Sequence, residues 1–189
     1  MNFYLYLTNP EWADAWISGG VVPFFTASRY ISVERSGTMT PDENLIDNST
    51  FDVHTPYNGL LIEGAARGLR FENCIIEGRR LHGTVDRYYE DGLVICTSTK
   101  RSKFIARKLG KKACVRILDI KKLIRIVEDA TKVSCKAGVC EYTKLHFRNH
   151  FMKSTHDEWQ MEFRLFWHNV RDIEILLPPR IATLEFVLP

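Results

Sequence analysis

An α+β domain is predicted for this chain, on three observations. Two apolar, strand-like runs each lead directly into a helix signal, at residues 3–17 and again at 93–109. A late run, residues 159–168, alternates polar and apolar side chains with the period of a strand. The tail holds two more strand-like runs, 173–177 and 181–188, separated by Pro178-Pro179. At 189 residues, 45% hydrophobic and 12% aromatic, the chain suits one well-filled domain spanning 1–189.

Taken in order, Phe3-Tyr4-Leu5-Tyr6-Leu7-Thr8 is a first strand. Asn9-Pro10 opens a helix whose apolar stripe is Trp12, Ala13, Trp16 and Ile17, and Gly19-Gly20 stops it. Residues 21–31 are apolar and β-prone, whereas 34–56 are rich in Ser, Thr, Asp, Asn and Pro and predict a long irregular loop of the lid or binding kind. Short strand signals follow at 60–62 and 70–77. Leu93-Val94-Ile95-Cys96 is a buried-strand run that meets Thr97-Ser98-Thr99, and residues 102–109 form a helix closed by Gly110. Residues 113–118 are a further strand; Asp119 then caps a helix with Ile120, Leu123, Ile124 and Val127 on one stripe. In the late strand, alternation sets Gln160, Glu162 and Arg164 on one face and Met161, Phe163, Leu165 and Trp167 on the core face. A carboxylate between an amide and a guanidinium, backed by so apolar a face, is the pattern of an arranged site, and the alternative is an edge strand with a surface ion pair.

No apolar run reaches the length of a membrane span, and the start Met1-Asn2-Phe3-Tyr4 lacks the basic and apolar regions of a secretion signal, so a soluble cytoplasmic protein with no membrane partner is expected. The five cysteines are odd in number, and two lie inside apolar runs, which suits reduced thiols in the core. Charge is segregated: residues 100–125 carry eleven Lys or Arg against the single acid Asp119, while 34–91 carry eleven acids against six bases. A basic segment of that density, if gathered on one face, suits a phosphate-bearing ligand or nucleic acid; the alternative is a solvated helix and loop.

The order of a first strand ending Tyr6-Leu7-Thr8, a second strand ending Thr97-Ser98-Thr99 before a helix, and a late strand bearing Gln160-x-Glu162 resembles the ADP-ribosyltransferase superfamily. The segment from Phe151-Met152-Lys153 to Trp159-x-x-Glu162-x-Arg164 is similar to a group of bacterial ADP-ribosyltransferase-like domains found among toxins and phage-defence effectors. The resemblance implies a split, mostly antiparallel sheet with flanking helices, NAD as the bound dinucleotide, and transfer of ADP-ribose to RNA, DNA or protein, with an antitoxin as a further partner. It implies Glu162 as the catalytic carboxylate, with Gln160 and Tyr6 beside it. Thr8, Tyr30, Thr97, Ser98 and Arg164 would then bind the cofactor, and Lys100, Arg101, Lys103, His150 and Lys153 the acceptor. Tyr6 or Thr8 stands where the superfamily carries His or Arg, and Gln160 stands where a second Glu accompanies arginine modification. Thr26-Ala27-Ser28 is a rival to Thr97-Ser98-Thr99 for the hydroxyl-bearing strand.

The chemistry asks for such residues. Cleavage of the nicotinamide–ribose bond passes through an oxocarbenium-like state, which a carboxylate hydrogen-bonded to a ribose hydroxyl orients and stabilises. Three other patterns compete. Cys135-x4-Cys140-x5-His146-x3-His150 holds four zinc-type ligands in order, but its spacing fits no common finger or knuckle, and no metal is expected. Glu162, Asp157, His150 and Lys153 are the ingredients of a nuclease, without a spaced carboxylate motif. A non-catalytic module presenting its basic face to nucleic acid is the third alternative.

Overall fold

The computed structural model describes residues 1–34, 48–52, 66–72, 82–87, 91–144 and 149–189. Strand β1 (Phe3–Leu7) places Tyr4 and Tyr6 on one face and Phe3, Leu5 and Leu7 on the other, and apolar clusters cover both, as an aromatic and aliphatic central strand requires. Asn9 caps a 3-10 turn (Pro10–Trp12), its side chain accepting from the Glu11 amide at 3.1 Å, and the turn runs into α1 (Ala13–Ile17). Ala13 and Trp16 are buried, but Trp12, expected in the same stripe, is 55% exposed, because a turn of about three residues rotates it off the face that α1 buries.

Residues 21–31 are not one strand. Strand β2 (Gly20–Phe24) ends, and α2 (Ala27–Glu34) begins. Two carboxylates from far along the chain fix that corner: Asp172 accepts from the Thr26 amide at 2.7 Å, and Asp91 accepts from the Ser28 amide at 3.1 Å and its hydroxyl at 2.7 Å. They satisfy amides that a helix start leaves without an internal partner. Thr26-Ala27-Ser28 is therefore a helix entrance rather than a strand.

Residues 34–56 are not wholly irregular either. Strands β3 (Asn48–Asp52), β4 (Ala66–Glu72) and β5 (His82–Arg87) form an antiparallel sheet in the order β3-β5-β4. The remainder of the expected loop, the signal at 60–62 and the end of that at 70–77 lie outside the described residues.

From β6 (Gly92–Ser98) to residue 131 the elements follow expectation closely. Ser102 caps α3 (Lys103–Lys108), β7 (Ala113–Ile117) follows, and Asp119 caps α4 (Ile120–Thr131), whose Leu123 and Val127 are fully buried. Short strands β8 (Lys136–Val139), β9 (Glu141–Thr143) and β10 (Met152–Ser154) precede a 3-10 helix (Thr155–Gln160), then β11 (Glu162–His168), β12 (Ile173–Leu177) and β13 (Ala182–Val187). The fold is α+β around a six-stranded antiparallel sheet in the order β13-β7-β1-β6-β11-β8, with β2 and β12 paired in a separate ribbon. One face is the main core, with Leu93, Ile95, Val115, Leu165 and Trp167 at its centre; the other carries the polar residues described below. No helix among the described residues is long and apolar enough to cross a membrane.

Register between β6 and β11 runs from Glu162↔Ser98 to His168↔Gly92. A Cβ at Gly92 would lie 2.2 Å from the Trp167 carbonyl oxygen and 2.9 Å from its carbon, both backbone atoms that cannot rotate away. Gly92→Ala is expected to cost about 3 kcal/mol, at the upper end of overpacking penalties, because relief requires parting these two paired strands. Urea denaturation checks this; a change within experimental scatter would show that the strands open there freely.

Candidate functional site

The second face of the sheet holds a buried polar cluster. Met161, expected on the core face of a strand, adopts a left-handed conformation (φ 49°) at the end of the 3-10 helix and is 44% exposed. Gln160 is therefore helical rather than part of β11. The turn nevertheless returns Gln160 and Glu162 to a common side, where both meet Lys153. The Lys153 ammonium donates to Gln160 Oε1 and to Glu162 Oε2, each at 2.8 Å, and Arg164 Nε donates to Glu162 Oε1 at 2.6 Å. Gln160 Nε2 donates to Asp157 at 3.0 Å, and Arg164 Nη1 donates to the His150 carbonyl at 3.0 Å. The Glu162 amide donates to the Tyr142 hydroxyl at 2.9 Å. The 3-10 helix and β10 are thus fastened to the sheet through one carboxylate.

The charged groups at its centre are withdrawn from water: Lys153 and Arg164 are 2% exposed and Glu162 5%. Burial alone would raise the Glu162 pKa, but the Arg164 guanidinium and then the Lys153 ammonium oppose it, together with a hydrogen bond from Cys96, and hold the carboxyl well below its ordinary 4.5. Glu162 is ionised at neutral pH. A carboxylate offers about four lone-pair positions, so it keeps acceptor capacity beyond its two cationic partners.

Ser98 shares this face, since it lies opposite Glu162 in the register; its hydroxyl donates to the Gln160 carbonyl at 2.7 Å. Thr97, its neighbour on the strand, points the opposite way and donates to the Phe163 carbonyl at 2.9 Å, so the two hydroxyls do not line one pocket. Tyr30 of α2 packs on Ala27, Val94 and Phe166, at one end of the same face. Tyr4 and Tyr6 pack at the other end, against Ile105 and Ala106 of α3. Between these ends Cys96 is exposed, although its place in an apolar run predicts a core thiol. Cys114, by contrast, is buried as expected. Period-two alternation with Ser98 was the available signal for Cys96, and Tyr142, which the sequence did not single out, has no local signal at all.

Tyr6 does not face Glu162 with a free hydroxyl. It donates to the Lys100 carbonyl at 2.6 Å and accepts from the Ser102 amide at 2.9 Å, holding the turn from β6 into α3. Tyr6→Phe is expected to cost about 1–3 kcal/mol, since both backbone groups lose a partner, and to speed hydrogen exchange at Ser102. Burial pushes the Tyr6 phenol up from 10.0 to about 12, as it does Tyr142. The folded state thus favours the neutral phenols: stability holds below pH 10 and falls as pH rises from 10 towards 12, where only the unfolded chain ionises fully.

The other named residues lie apart from the cluster or serve it differently. Thr8 is exposed and accepts from Lys111 at 2.9 Å. Lys100, Arg101 and Lys103 are exposed around α3, and Arg101 pairs with Glu185 at 2.6 Å. His150 is buried and stacked on Phe166 with ring centroids 4.1 Å apart, not at the surface. Of the zinc-type quartet, Cys140 is buried and His146 lies outside the described residues; among the described residues no three His, Cys, Asp or Glu converge as metal ligands. No protein-family model matches the chain, and neither a curated protein nor a solved structure shows significant similarity to it.

Proposed function

We propose that the chain transfers ADP-ribose from NAD to a macromolecule, with Glu162 as the carboxylate that orients the ribose. The observation that carries this reading is the Glu162↔Ser98 register, which sets an ionised carboxylate beside a hydroxyl on a sheet face that is flanked by α2 with Tyr30 and by α3, with Cys96 reaching solvent between them. NAD supplies the glycosidic bond to be broken: nicotinamide leaves with the bonding electron pair, and the acceptor's nucleophilic atom bonds to the ribose carbon and releases a proton. Glu162 accepts a hydrogen bond from a ribose hydroxyl as positive charge develops on the sugar. Arg164 and Lys153 keep the carboxylate ionised and fixed rather than touching the sugar. The element order and the Gln160-x-Glu162 spacing support the same reading by resemblance.

A second reading has its own observation. Glu162 is 5% exposed and both its oxygens already accept from cations, which is also what a purely structural clamp in a non-catalytic binding module requires. Nicotinamide release from NAD by the purified protein, alone and with RNA, DNA or cell lysate, separates the two. The transferase reading expects release that rises with the right acceptor; the clamp reading expects none under any condition.

A further inference from the structure

Outside the polar cluster, α3 presents an unusual surface. Phe104 is 63% exposed on the outer side of the helix, and its ring meets half-buried Trp159 edge-on, with centroids 6.3 Å apart and planes at 81°. The Lys108 ammonium sits 4.0 Å from the centre of the Trp159 ring and 5.9 Å from that of Phe104. Arg101 and Lys103 lie over the neighbouring Phe186 ring, at 5.4 and 6.0 Å. Residues 100–112 contain seven Lys or Arg and no acid, and α3 with its flanking turns carries Lys100, Arg101, Lys103, Arg107 and Lys108 exposed to solvent.

We propose that this face of α3, with Phe104 and Trp159 as its rings and Lys108 between them, binds single-stranded nucleic acid. Two observations point to that partner. The cations supply a phosphate-binding field, of which Arg101 also pairs with Glu185 at 2.6 Å. The solvent-facing Phe104 ring offers a flat π-surface, and any unpaired base can stack on it whatever its sequence. A duplex hides its base faces, and α3, at six residues, is too short to fill a major groove in the manner of a recognition helix. An acidic protein would match the charge but gives the exposed ring no specific task. The proposal does not depend on the transferase reading, because binding is measured without NAD.

The test is fluorescence anisotropy with a labelled oligothymidylate and an oligouridylate of about a dozen nucleotides, within the span one such surface covers. The expected results are saturable binding, weakened about tenfold by Phe104→Ala, as loss of one stacked base predicts. Lys108→Gln should weaken it further and flatten the dependence of log affinity on log salt by about 0.7. Both positions are exposed, so melting temperature should hold in each variant and confirm that binding, not folding, has changed. The proposal is overturned if neither oligonucleotide binds, if Phe104→Ala leaves affinity unchanged, or if duplex DNA binds as tightly as the single strand. Equal displacement by polyglutamate at matched charge would also overturn it, in favour of an acidic protein partner.

Discussion

Glu162→Gln is expected to lower the unfolding free energy by about 3–5 kcal/mol, the range for removing one partner from a buried ion network. The amide is nearly the same size, so the loss is electrostatic: Lys153 and Arg164, each 2% exposed, would keep their charges and lose the carboxylate that both now pair with. Against a total stability on the order of 5–15 kcal/mol, such a change brings the domain close to unfolding. Lost activity in this variant is then no proof of a catalytic role. Replacing all three charged members by apolar residues of similar volume should recover most of the loss, because the desolvation of three ions is removed with their attraction. The same physics sets an acid limit. The folded state holds the Glu162 carboxyl well below its ordinary 4.5, so its contribution is fully present above that value and is lost progressively as pH falls beneath it. Urea titrations of native and Glu162→Gln protein at neutral pH and at about pH 3 check both statements; the gap between them should narrow at the lower pH.

Much of the architecture was legible from the sequence where local signals agreed with the final packing. The helix openings at Asn9 and Asp119, the stripe on α4 and the apolar runs of β1, β6 and β7 each specify their own element, and each appears. Expectation failed where distant residues made the decision. The helix start at Ala27 depends on Asp91 and Asp172, more than 60 positions away, which no local window contains. The late strand was read as strict alternation from residue 159, but a left-handed Met161 converts its first residues into a helical turn. Grouping Gln160 with Glu162 and Arg164 survived that error, because the turn restores them to one side. Their setting could not be foreseen: two strand faces can both be buried, and the residue that makes the polar face tolerable, Lys153, arrives from β10. The sequence named Lys153 as an acceptor contact, whereas its ammonium is committed to Gln160 and Glu162.

Glu162→Asp is the substitution that probes chemistry while keeping the charge. One methylene shorter, the aspartate still neutralises the cations between which it lies, so the fold should lose far less than with glutamine. Its oxygens, however, retreat from the place where a ribose hydroxyl would be held, and a misplacement of about 1 Å costs on the order of a hundredfold in rate. Nicotinamide release from NAD is therefore measured for the native protein and Glu162→Asp, with the acceptor that gives the highest native rate and well below both melting temperatures. The transferase account predicts turnover by the native chain that falls about a hundredfold in the aspartate variant. Absence of turnover in the native chain with every acceptor, or an undiminished rate in a folded Glu162→Asp protein, would contradict it.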